Sequence, residues 1–311
     1  MTVPISEFVS APFGGGRMAL KVVSAEAIAD GCRLFELALP DGGALPSCEP
    51  GAHIGIRLPD GSERQYSLLN YGSAPTSYRF AVKRDPESRG GSVWLCDKAV
   101  SGDTFLTEAP RNNFPLDEGG HPTVLIAGGI GITPIRAMID RLEELGREWV
   151  LHYAARTRAE AAFADELAGL GSVHLHFDDV EGGVLPVAEI VRAAPTDAHL
   201  YCCGPAPMLA AFEAAAAEAS IAPERVHVEY FTQKYDVATE GGFTVALARS
   251  GSEFRVEPGK TILDTLRAAG LDLSSSCEEG ICGACETRVL EGLPDHRDAI
   301  LSERERQENK T

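Results

Sequence analysis

Thr123-Val124-Leu125-Ile126-Ala127-Gly128-Gly129-Ile130-Gly131-Ile132-Thr133-Pro134 is the stretch on which the fold turns. Its first five residues are a short apolar run, the pattern of a strand buried on both faces. Glycines follow at once. Thr133 then stands as a helix N-cap and Pro134 at the first helical position. Ile135, Met138, Ile139, Leu142 and Leu145 recur at helical spacing, so a helix with one apolar face is predicted from there. In a strand-to-helix turn of this kind, glycines let a dinucleotide pyrophosphate approach the backbone at the positive end of the helix. Tight packing alone can produce the same turn, so it needs company.

The company lies downstream. Strand-like and helix-like segments alternate at 149–154, 159–170, 173–177, 187–194, 199–203, 207–220 and 226–231. Such alternation predicts a parallel sheet covered on both faces, here an α/β domain over 119–231. Tyr201-Cys202-Cys203-Gly204-Pro205, with Pro207-Met208 opening the next helix, gives a second loop at the carboxyl edge of that sheet. Open α/β sheets bind ligands at that edge. Cys203 has a plainer alternative, a small buried hydrophobe. His176-Phe177-Asp178-Asp179 puts two carboxylates at the end of a third strand, where ribose hydroxyls are bound and a 2′-phosphate is repelled. NADH is therefore expected over NADPH, unless both aspartates are only solvated loop residues.

Upstream the text changes character. Residues 1–16 end in Gly14-Gly15-Gly16 and read as a loose arm. Over 17–118, short runs at 33–39, 53–58 and 78–82 alternate apolar and polar, with turn signals such as Asp41-Gly42-Gly43 and Pro59-Asp60-Gly61 between them. An antiparallel β-barrel is predicted, interrupted by one helix near 92–100. Two polar clusters stand out. Arg64-Gln65-Tyr66-Ser67 offers a cation, a ring and a hydroxyl; Arg89-Gly90-Gly91-Ser92 offers a cation, two glycines and a capping serine. Together they suit a phosphate and a flat ring. Singly, each is also explained by a solvated arginine or an ordinary helix cap.

The last part of the chain, 243–311, follows a polar linker at 232–242 and reads as hairpin, short helix and cysteine loop, the order of a small β-grasp domain. The loop is Ser274-Ser275-Ser276-Cys277-Glu278-Glu279-Gly280-Ile281-Cys282-Gly283-Ala284-Cys285-Glu286. Cys277-x4-Cys282-x2-Cys285 is the first part of the plant-type [2Fe–2S] pattern, which needs a fourth cysteine downstream. A zinc knuckle would need two further ligands close by, and only His296 is near. No cysteine follows Cys285, so the fourth ligand is expected beyond Thr311 in a longer natural chain. With three thiolates alone the cluster is expected to be labile.

Charge and length bound the rest. The chain has 311 residues, 46 acidic and 28 basic, for a net charge of −18. That balance argues against a nucleic-acid partner, and it suits either a protein partner with a basic face or solubility alone. No apolar run reaches a membrane span and no export signal opens the sequence, so a cytoplasmic protein with reduced thiols is expected.

Taken in order, Arg64-x-Tyr66-Ser67, Gly90-Gly91-Ser92, the Gly-Gly-Ile-Gly-Ile-Thr-Pro loop, Cys203-Gly204-Pro205 and the cysteine loop resemble the phthalate dioxygenase reductase and vanillate O-demethylase reductase family. That family joins a ferredoxin–NADP reductase core to a C-terminal ferredoxin domain, and the resemblance covers nearly all of the chain after residue 16. It implies FMN in the barrel, with the phosphate held by Arg64 and Ser92 and Gly91 also at the cofactor. Gln65, Tyr66, Ser67 and the backbone near Lys83 would line the flavin. It implies NADH against Gly129, Gly131, Thr133 and Pro134 on one loop and Cys203, Pro205 and Met208 on the other. Arg156 and Asp178 or Asp179 would contact the nucleotide half. Cys203, Thr133 and Phe231 are assigned to the reacting centre, Cys203 not as a nucleophile and Phe231 as the ring that covers the flavin. Cys277, Cys282 and Cys285 would ligate iron, and the implied partner is a Rieske-type non-haem iron oxygenase. NADH surrenders two electrons together, whereas an iron–sulfur centre takes one, and a flavin between them reconciles the two. A flavin-dependent NADH diaphorase with an incomplete or zinc-binding C-terminal module is the alternative.

Overall fold

The computed structural model describes residues 17–232, 238–273 and 275–311. The arm at 1–16, residues 233–237 of the expected linker and Ser274 lie outside them. The chain divides into two compact units, Met1–Glu229 and Tyr230–Thr311.

The first unit begins with six antiparallel strands: β1 Met18–Ala29, β2 Cys32–Ala38, β3 His53–Arg57, β4 Glu63–Ser67, β5 Tyr78–Lys83 and β6 Thr104–Thr107. Their order is β4-β3-β6-β1-β2-β5. Just past β4, Leu69 N donates to Arg79 O at 2.8 Å and Leu68 bridges Phe80, so the two edge strands meet and the sheet closes. Alternate residues turn inward, among them Leu20, Val22, Phe35, Leu37, Ile54, Ile56, Phe80 and Val82. Period-2 alternation is what lets one strand face both a core and its surroundings. β1 is absent from the runs read off the sequence because its register shifts between Val22 and Ser24 and again between Ala27 and Ala29. Bulges of this kind break the alternation that marks a strand. Helix α1, Gly91–Lys98, follows β5. Its N-cap is Gly90, at φ +89°, so Ser92 is a residue of the first turn and not the cap.

The second half of this unit is a parallel sheet of β7 Thr123–Gly128, β8 Trp149–Ala155, β9 Val173–Phe177, β10 His199–Cys203 and β11 Val226–Glu229. The order is β11-β10-β7-β8-β9, every pair parallel. β7 lies at the centre and is buried throughout, as its unbroken apolar run requires. The intervening helices are α2 Ile132–Leu145, α3 Ala164–Leu167, α4 Asp178–Glu181, α5 Val187–Ala193 and α6 Ala206–Glu218. Two expectations are corrected here. A 3-10 turn at Gly129–Gly131 starts the coil early, so Gly131 is the N-cap of α2; the Thr133 hydroxyl donates instead to Ile130 O at 2.9 Å. The helix expected over 159–170 is broken by Phe163 at φ +63°, leaving only the four residues of α3. Asp178 and Asp179 open α4 directly after β9.

In the second unit, β12 Phe243–Ala246 and β13 Glu253–Val256 form an antiparallel hairpin. Helix α7, Ile262–Ala268, is opened by a capping box between Thr261 and Asp264. Val256 and Leu266 are buried in it, and α8, Glu303–Glu308, closes the described chain. Phe231, expected at the end of the α/β domain, belongs to this unit because β11 stops at Glu229. Among the described residues no helix is long and apolar enough to cross a membrane.

Candidate functional site

The Arg64 side chain packs on the first turn of α1. A Cβ placed on Gly91 would lie 2.9 Å from Arg64 Nε and 3.0 Å from its Cγ, so glycine is what lets the two come together. α1 has no side-chain cap, leaving its first N–H groups to another partner. Arg64 Nη1 donates to Glu63 O at 2.7 Å, so a guanidinium is held beside the positive end of a helix, a pairing that suits an anion. The Ser92 hydroxyl accepts from Asp85 N at 3.1 Å and lies 3.0 Å from Ser88 Oγ, which fixes the loop before the helix. Tyr66 stacks on Phe80 with ring centroids 5.2 Å apart. Lys83 spends its ammonium on Glu160, at 3.0 Å, so its backbone is what remains for a ligand. Gln65 lies in β4 between Arg64 and Tyr66.

Ser67, the last residue of β4, reaches the parallel sheet. Its hydroxyl donates to Glu229 Oε2 at 3.4 Å, and the Cys203 thiol donates to the same oxygen at 3.8 Å. The register of β10 and β11 sets Cys203 beside Glu229, which is why the three meet. Burial raises the Glu229 carboxyl to about 8, against the opposing hydrogen bonds from Ser67 and Cys203. Burial thus favours the protonated form of this carboxyl. Burial, with Glu229 alongside, holds the Cys203 thiol well above its ordinary range.

Two loops at the carboxyl edge of the sheet are locked together by missing side chains. A Cβ on Gly131 would lie 2.2 Å from Cys203 O, and one on Gly128 would lie 2.6 Å from Pro205 Cδ and 2.8 Å from Met208 Sδ. Pro205 and Met208 thus pack on the first loop. Thr133 and Pro134 are buried in the first turns of α2, and Gly129, at φ +54°, has open space where its side chain would be. Arg156 is exposed past β8, and its carbonyl accepts from Asp179 N at 3.1 Å, so it is held next to the acidic pair. Asp178 lies 3.5 Å from His176 Nε2. Nearby, a cleft of about 670 Å³ has Ile28, Ala29 and Phe163 as its apolar lining and Arg158, Asp165 and Glu166 as its charged one.

In the cysteine loop, Cys277 and Cys282 are buried and Cys285 is half-buried. The Cys282 thiol and the N–H groups of Glu279, Ile281 and Cys282 pull the Cys277 thiol below its ordinary range. Glycines at Gly280 and Gly283, φ +68° and +75°, make the turn. The segment around Asp298 covers it, Ala299 N donating to Gly280 O at 2.9 Å. Among the described residues no three donor side chains are arranged as a metal site, so Cys285 does not join the other two in this geometry.

Comparison with known proteins fits both loops. The family of 2Fe-2S iron-sulfur cluster binding domains matches residues 245–311, and the oxidoreductase NAD-binding domain matches 125–214. Phenoxybenzoate dioxygenase subunit beta of Ectopseudomonas oleovorans is 53% identical over 91% of this chain and 88% of its own. Tetrachlorobenzoquinone reductase of Sphingobium chlorophenolicum is 46% identical over 89% and 87%. The solved structure of phthalate dioxygenase reductase is 36% identical, with a TM-score of 0.73 over 94% of this chain and 92% of that one. The chain belongs to the phthalate dioxygenase reductase family. It is an oxidoreductase with an NAD-binding domain and a C-terminal 2Fe-2S domain, and the zinc alternative is set aside by the iron–sulfur match.

In this member of the phthalate dioxygenase reductase family, Arg64 and Gly91 come together, as do Ser67 and Cys203, and Gly131 meets Cys203. Glu229 is the residue that sequence reading missed. The signal was present in Val226-His227-Val228-Glu229, whose alternation puts His227 and Glu229 on one face of β11. Arg158 lines the cleft, and Arg156 is held beside Asp179.

Proposed function

We propose that this protein passes electrons from NADH through FMN and a [2Fe–2S] cluster to a Rieske-type non-haem iron oxygenase. The observation that carries the reading is the meeting of Ser67, Glu229 and Cys203, which joins the flavin-motif strand to the coenzyme-motif strand at one carboxyl. Bound FMN would accept hydride and release electrons singly. Arg64, the N–H groups at Gly91 and the start of α1 would hold its phosphate; Gln65, Tyr66, Ser67 and the Lys83 backbone would line the ring. Gly129, Gly131, Thr133, Pro134, Pro205 and Met208 would hold the pyrophosphate and nicotinamide. Cys203 stays a thiol and fills space beside the hydride path. Phe231, the ring that the family assigns to covering the flavin, falls in the second unit. Cys277, Cys282 and Cys285 would ligate iron. The boundaries 17–118, 119–231, 232–242 and 243–311 serve as flavin, coenzyme, linker and cluster segments of a cytoplasmic protein. Relatives named as a dioxygenase subunit and as phthalate dioxygenase reductase support an oxygenase partner, and a charge of −18 suits a basic docking face on it.

The test is Arg64→Ala. Losing a charge-assisted phosphate contact of about 1.5–3 kcal/mol should weaken FMN binding by roughly 10- to 150-fold. The parallel sheet should keep its fold, and denaturation of the parent should release FMN. Unchanged FMN affinity, or recovery of FAD, would refute the assignment.

The coenzyme gives a second expected result. Asp178 and Asp179 flank the site of the ribose, so NADH should have the higher kcat/KM. The double variant Asp178→Ala, Asp179→Ala should narrow the gap to NADPH by about tenfold, some 1.4 kcal/mol. Equal kcat/KM values in the parent protein would remove the proposal. A relative named for quinone reduction favours one further reading, direct reduction of a quinone at the flavin without use of the cluster. Quinone turnover that survives loss of iron would mark that route.

A further inference from the structure

The other end of α1 is held by an arginine that no motif announces. Arg33, in β2, donates from Nη1 to Leu95 O at 3.2 Å, Cys96 O at 2.9 Å and Ala99 O at 2.9 Å, and from Nη2 to Ala25 O at 2.9 Å. Its guanidinium lies over the Phe35 ring, 5.2 Å from the centroid. None of these partners is a carboxylate. The nearby Asp97 is taken by Arg84, with two contacts of 3.0 Å. Arg33 therefore spends its charge on backbone carbonyls, two of them among the last four of the helix, which have no partners within it.

We propose that Arg33 is a positioning residue for the flavin phosphate, acting through α1 from its far end; this rests on the FMN reading above. The helix is eight residues long, about 12 Å, and too short to be stable alone. Its first turn must be placed against Arg64 to within the tolerance of a hydrogen bond. Arg33 fixes the last turn to β1 and β2, so the helix cannot slide along the barrel. A cation on the C-terminal carbonyls also offsets their negative end, leaving the positive end to act on an anion. The two arginines have opposite tasks. Arg64 touches the phosphate, and Arg33 aims the helix that shares it.

Riboflavin, which has the flavin ring without the phosphate, separates aim from fold. Apo-protein is titrated with FMN and with riboflavin, following flavin fluorescence. For Arg33→Met the ratio of FMN to riboflavin affinity should fall about tenfold, the loss expected when a charge-assisted contact is misaligned. Riboflavin affinity itself should hold. Arg33→Lys keeps a cation at the helix end but loses the planar fork, so its ratio should fall between the two. Lysine also carries the test alone if the methionine variant does not fold. An unchanged ratio in Arg33→Lys, or equal weakening of both ligands in either variant, overturns the proposal. A parent protein that does not prefer FMN to riboflavin overturns the FMN reading instead.

Discussion

Cys282→Ala is expected to yield protein without iron where the parent carries it, and to end electron delivery to any one-electron protein acceptor. Cys282 is buried at 2% exposure and faces Cys277, so its loss removes a ligand from the enclosed side of the loop, where water cannot easily stand in. Hydride transfer from NADH to the flavin should continue, because the first unit holds every residue assigned to it except Phe231. The measurement pairs iron and sulfide analysis with two assays, ferricyanide reduction for the flavin and cytochrome c reduction for the cluster. Cytochrome c reduction at the parental rate by iron-free protein would show that electrons leave by another route.

Gly131→Ala should lower kcat/KM for NADH by about a hundredfold, the scale of effect when a reacting group is displaced by about 1 Å. Gly131 has φ −61°, which any residue can adopt, so its backbone conformation does not call for glycine. Space does. The added methyl would sit 2.2 Å from Cys203 O and 2.5 Å from Cys203 C, atoms of the backbone that cannot rotate aside. The two coenzyme loops must then part, and Cys203 moves with them. Flavin content should stay near the parental level, because the barrel is not touched. Gly129→Ala makes the useful contrast: its constraint is φ +54°, with nothing within 4 Å. Steady-state kinetics with NADH settles the matter, and a Gly131→Ala enzyme within twofold of the parent would contradict the packing argument.

Much of this was readable in the sequence, for physical reasons. An apolar run into glycines and a helix has few alternatives, and the three cysteines have a spacing that little else demands. What stayed hidden depends on register or on single backbone angles. Thr133 followed by Pro134 looks like a helix start until Gly129 lets the chain begin to coil ahead of both. Ser92 looks like a cap until Gly90 takes that position. β1 escapes because two bulges break its alternation. Glu229 ends an apolar strand as any solvated carboxylate might. Only the pairing of β10 with β11 and the approach of β4 turn it into the group shared by Ser67 and Cys203. Arg33 alternates correctly in its strand and gives no hint of the carbonyls it collects.

The burial of Cys203 also bears on the protein's durability. Peroxide and electrophiles attack the thiolate, and reactivity follows thiolate character and exposure. Fully covered and raised beside Glu229, Cys203 has almost no anion to offer them, and its neighbour Cys202 is raised by burial in the same way. Burial thus shields both thiols of the pair from the oxidation to sulfenic acid that an exposed thiolate would undergo.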